Sequence, residues 1–116
     1  AERAPGSPWG SPNLRSNLGI PAAQEFLFAG GNSRSFKASA INRGTTTIEI
    51  FADRDGQRTP KGTLTPGEAA FVTFDPGEAA VFVNTSKLDD AQCRLLVWGP
   101  TNVGMRYRDW LSGADL

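Results

Sequence analysis

The sequence contains no histidine, one cysteine (Cys93), and no excess of either charge, since 12 basic side chains are matched by 12 acidic ones over 116 residues. Each shortage removes a class of function. Histidine titrates near neutral pH and is the commonest zinc ligand, so its absence excludes histidine-based triads and nearly all catalytic zinc sites. A single cysteine forms no disulfide within the chain and no paired redox or metal motif, and on an apolar strand it is expected to be a small buried hydrophobe. Balanced charge gives no electrostatic footprint for nucleic acid or for an anionic membrane. Long hydrophobic runs are also missing, and no stretch approaches the roughly 20 apolar residues of a membrane-spanning helix. No glycine-rich nucleotide loop, phosphate-loop lysine or nucleophile-elbow serine is present. The expectation is a protein without cofactor, nucleic-acid partner or membrane span. The start Ala1-Glu2-Arg3 fits either a removed initiator methionine or a cleaved signal peptide.

What is present is distributed unevenly. Residues 1–24 hold Pro5, Pro8, Pro12 and Pro21, half of the 8 prolines, with several glycines, serines and asparagines. Proline removes main-chain donors and biases the preceding residue toward extended conformations, so neither a long helix nor a central strand fits here. The segment reads as an extended N-terminal arm. Its spaced apolar residues Trp9, Leu14, Leu18 and Ile20 are too sparse for a core and are expected to anchor it in grooves, either of its own domain or of a neighbouring chain.

From residue 25 to residue 116 the pattern is that of one β domain. Short runs rich in β-branched and aromatic residues are punctuated by turn signals every 8 to 12 residues. Phe36, Ala38 and Ala40 alternate with Lys37, Ser39 and Ile41, and Ile48, Ile50 and Ala52 alternate with Glu49 and Phe51, as on a sheet with one covered face. Residues 53–60 read as a polar loop. The fragments Thr65-Pro66-Gly67-Glu68-Ala69-Ala70 and Asp75-Pro76-Gly77-Glu78-Ala79-Ala80 repeat at a spacing of 10. Proline at the second turn position and glycine at the third predict two type II reversals, joining strands 61–65, 69–74 and 79–84 into a meander. Residues 87–92 read as a charged connection with one helical turn. In Cys93–Trp98 the set Cys93, Leu95 and Val97 is expected inward because it buries no charge. The tail, residues 101–116, reads as a short helix or peripheral strand. With residues 26–29 added, about seven strands predict an antiparallel β-sandwich or jelly-roll-like domain.

Tests for chemistry give weak signals. Asp53-Arg54-Asp55-Gly56 has the opening of a calcium loop but lacks a third early ligand, and Leu64 stands where a bidentate glutamate belongs. The pairs Asp53/Asp55 and Asp89/Asp90 lie in polar turns, where acids cap or are solvated. Asn84-Thr85-Ser86 matches the N-glycosylation pattern. Arg106 and Arg108 flank Tyr107 near Trp110, and this suits a subunit-facing edge better than a base-stacking patch because Asp109 and Asp115 neutralise the same tail.

The leading expectation is a non-enzymatic structural subunit of a large assembly. A capsid-decorating or head-associated virion protein is the most concrete version, with Trp9, Leu14, Leu18, Ile20, Tyr107 and Trp110 at contacts to protein subunits, including copies of itself. A virion or extracellular assembly is the matching location. The alternative is a secreted or cell-surface β-sandwich that binds carbohydrate or protein, with Asp53, Asp55, Trp9 and Trp110 as first contacts and Trp98 as a further platform candidate. An enzyme built on acids or on the Cys93 thiol is the least favoured class.

Overall fold

The computed structural model describes residues 10–28, 34–99 and 105–109. Among them lie nine strands and no helix. They are β1 (Leu14–Ile20), β2 (Gln24–Phe28), β3 (Phe36–Asn42), β4 (Ile48–Arg54), β5 (Gln57–Leu64), β6 (Ala69–Phe74), β7 (Ala79–Asn84), β8 (Ala91–Trp98) and β9 (Met105–Asp109). Two antiparallel sheets form, one in the order β1-β8-β3-β6 and the other β5-β4-β7-β2-β9.

The first eight strands pair in reverse order around one turn: β4 with β5, β3 with β6, β2 with β7 and β1 with β8. The chain is thus one long hairpin folded over on itself. The fold-over creates the further pairs β3 with β8 and β4 with β7 that close each sheet. This is the double-sheet jelly roll, with β9 added beside β2.

The tip of that hairpin is Asp55-Gly56. Both residues have positive φ, 53° and 83°, and Arg54 pairs with Gln57 on either side, which is the two-residue turn that matches strand twist. Asp-Gly is the pair best suited to it, because glycine adopts positive φ freely and aspartate tolerates it. Residues 53–60, expected as a polar loop, are therefore the end of β4, this turn and the first half of β5. Their polarity reflects an exposed edge strand rather than a loop, and edge position is also what tolerates Pro60 within β5.

Both Pro-Gly segments are type II turns. Gly67 and Gly77 have φ of 86° and 88°, and the N–H of Glu68 and Glu78 donates to the carbonyl of Thr65 and Asp75. Each glutamate also accepts from the main-chain N–H of the first turn residue at 2.7 Å, so the repeat extends to the side-chain bond that closes the turn. The expected meander does not form. β5 and β7 belong to one sheet and β6 to the other, so both turns carry the chain across the sandwich.

Between the sheets lies one apolar core. Cys93, Leu95 and Val97 face into it as expected, opposite Phe26, Phe28, Ile48, Ile50 and Phe82 of the other sheet. Phe36 stacks on Phe74 at 4.7 Å and meets Phe28 edge-on at 5.6 Å. Residues 14–20, expected within the arm, are an edge strand whose Leu18 and Ile20 enter this core. Pro12 and Pro21 lie just outside the strand and leave its ladder donors intact. The connection 87–90 is not helical: the Ser86 hydroxyl accepts the N–H groups of Leu88 and Asp89, a local bond that competes with helix formation.

Candidate functional site

The described chain begins on β8. The Trp98 indole Nε1 donates to the Gly10 carbonyl at 3.1 Å, the Asn13 N–H to the Val97 carbonyl at 2.8 Å, and the Gly99 N–H to Asn13 Oδ1 at 2.8 Å. Three bonds within four residues fix the point at which the N-terminal segment meets the sandwich. Trp98 is 8% exposed, so its ring is packed, and it does not offer the flat open face that a sugar platform requires.

The residues expected at partner contacts separate into two groups. Trp9 and Trp110 lie outside the described residues. Leu18 and Ile20 are spent on the chain's own core, and half-buried Leu14 packs against that core. Tyr107 lies 5.3 Å from Phe26 and its hydroxyl donates to the Gly19 carbonyl, tying β9 to the β1 end of the sandwich. These four side chains are therefore internal contacts, and the structure does not bring them together as a patch. In β9 the register sets Arg106 opposite Leu27 and Arg108 opposite Glu25.

Two of the candidate acids, Asp53 and Asp90, have structural partners. Asp53 Oδ1 accepts from the Gly56 N–H at 3.0 Å and Oδ2 from Arg58 Nε at 3.2 Å, so its carboxylate serves the hairpin tip. Asp90 accepts the Ala22 N–H, and the Asp89 carbonyl accepts from Asn84. Among the described residues no group of three or more histidine, cysteine, aspartate or glutamate side chains is placed to hold a metal ion. Cys93 is 2% exposed, and burial pushes its thiol up to about 11. A thiol so held stays protonated at neutral pH and is a poor nucleophile.

Asn84, the expected glycan acceptor, is fully buried at the end of β7. Its Nδ2 donates to the carbonyls of Ile20, Pro21 and Asp89, and its Oδ1 accepts from the Ser86 N–H and the Thr46 hydroxyl. One side chain thereby joins three connections at one end of the sandwich, and a glycan on it is incompatible with this fold. Asn42 does a similar task next to it, donating to the carbonyls of Thr46 and Leu64.

One constellation has no local signal in the sequence. On the outward face of the five-stranded sheet, Leu27, Val81 and Val83 are buried with Phe51 against them. The Arg58 guanidinium lies 5.9 Å from the Phe51 ring centroid and forms a two-pronged pair with the buried Glu25 carboxylate. Hydrogen bonding to Glu25 holds Arg58 above its ordinary pKa. The two residues are 33 apart in sequence, and only the folding of the hairpin brings them together.

No protein-family model matches the chain, and no curated protein matches it. Among solved structures it is similar to a Cupin 2 conserved barrel domain protein from Salinispora arenicola CNS-205. The identity is 19%, over 73% of this chain and 74% of that one, with a TM-score of 0.38.

Proposed function

We propose that this chain is a non-enzymatic structural subunit of a large assembly, a jelly-roll block that joins its neighbours partly through residues 1–9. A virion is the most concrete setting, as a capsid-decorating or head-associated protein. One observation carries the reading: the three bonds from Trp98, Asn13 and Gly99 anchor the chain at Gly10 on the surface of the sandwich. The segment that precedes this anchor contains Pro5, Pro8 and Trp9. A proline-containing segment that leaves a fixed root, with an aromatic residue next to that root in sequence, is suited to pairing with another subunit, because the proline residues and the fixed root reduce the ordering that binding requires. The chemistry of the described side chains is consistent with work done through contacts, since Cys93, Asp53, Glu25 and Asn84 are each committed to the fold.

The test is a deletion of residues 1–9. A deletion reaching residue 24 would remove β1, and with it Leu18 and Ile20, and would confuse unfolding with loss of assembly. The short deletion is expected to melt within a few degrees of the full chain and to lose assembly by light scattering and electron microscopy. Assembly equal to that of the full chain would show that the segment is not the joint.

A further inference from the structure

Four of the described strands end the two sheets, and they are not equivalent. An exposed edge is a template for further pairing, which proteins ordinarily blunt with charge, proline or bulges. β5 carries Arg58, Pro60 and Lys61, and its pairing with β4 shifts register between Ile50 and Phe51. β9 carries Arg106, Arg108 and Asp109. β1 carries Arg15 and is followed at once by Pro21. β6 is Ala69-Ala70-Phe71-Val72-Thr73-Phe74, with no charge, proline or glycine and an unbroken register against β3. Its outward Phe71 is 42% exposed.

We propose that β6 is the edge at which a second copy of this chain joins, continuing the β1-β8-β3-β6 sheet across a two-fold axis. The inference rests on the structural-subunit reading and names the partner. The main-chain pattern fits. The Asn42 N–H donates to the Glu68 carbonyl, and alternation from that bond directs the main-chain groups of Ala69 and Thr73 away from β3.

Parity then restricts the register, and among the axes it allows the one at Phe71 sets that exposed ring against its own copy. For the outward faces of two copies to run on as one surface, an outward residue must oppose an outward residue, which a two-fold axis at Phe71 satisfies. Ala69 then opposes Thr73 of the other copy, and the two Phe71 rings meet as a cross-strand aromatic pair. Charge agrees with this register. Glu68 falls opposite Phe74 and Asp75 opposite Gly67, so no carboxylate directly faces another, and a chain of zero formal net charge carries no long-range self-repulsion. On the same flank the bulged, cationic β5 is not suited to extending its own sheet, which leaves β6 as the joint on that flank.

The experiment is the mass of the full chain by light scattering over a wide concentration range, with Phe71→Lys and Thr73→Pro as variants. Lysine places like charges across the axis, and proline removes an outward donor. The full chain is expected at twice the chain mass or a multiple of it. Each variant is expected to show at least a twofold fall in mass with an unchanged far-ultraviolet spectrum. A full chain monomeric at every concentration, or a folded Phe71→Lys variant of unchanged mass, overturns the proposal; if that variant does not fold, Thr73→Pro decides in the same way. Loss of assembly on removing residues 1–9 with no effect of Phe71→Lys would reject the β6 joint and leave the structural-subunit reading standing. The converse result would reject the terminal segment alone.

Discussion

At the residue scale, buried polar side chains carry the largest consequences. Asn84 is fully buried and bonds three carbonyls and two donors, and replacing it with alanine removes all of these bonds, with the Pro21 carbonyl keeping a second donor, the Gln24 N–H. Asn84→Ala is expected to cost about 3 kcal/mol or more, read as a lowered urea midpoint. Cys93 gives a pH test. Its folded-state pKa is raised from 9.0 to about 11, so the folded thiol keeps a proton that the unfolded thiol loses. Its contribution is present in full below pH 9 and lost as the pH rises from there to about 11. The loss is on the order of 2 to 3 kcal/mol. Relative to Cys93→Ala, the full chain should lose urea stability over that window, and a flat difference would contradict the assignment. Cys93 was legible in the sequence because its inward set follows from strand parity. The task of Asn84 was not, because the three-residue pattern around it describes an acceptor for a glycan and says nothing of the connections that fold onto it.

At the element scale, the hairpin tip has the greatest leverage. Pairing of β4 with β5 is the most local contact, and pairings of β3 with β6, β2 with β7 and β1 with β8 span progressively longer separations. Loop closure favours contacts of short separation first. Gly56→Ala, forced into a φ of 83°, is therefore expected to slow refolding several-fold with little change in unfolding rate. Leu18→Ala, in the strand paired across the longest separation, should mainly speed unfolding. A chevron for each variant checks the contrast. The Asp-Gly signal stood in the sequence, yet the charge around it resembled a loop because an edge strand is solvated much as a loop is. The two Pro-Gly turns were readable down to their type. Their sheet membership was not, since a type II turn has the same local form whether it joins neighbours in one sheet or bridges two.

For the whole molecule, the surface is where the proposed function is tested. The N-terminal anchor and the uncharged β6 edge are the features on which the two assembly tests act, one by truncation and one by substitution. The sequence by itself determined the fold class, most of the core and the turns, because period-2 alternation, Pro-Gly pairs and apolar content act over a few residues and are written in order along the chain. Tertiary structure decided which strands became neighbours, that residues 14–20 belong to the domain rather than to an arm, and that Arg58 reaches Glu25. Those outcomes depend on pairings between segments far apart in sequence, and such pairings are selected by burial of both sheets at once rather than by any local preference.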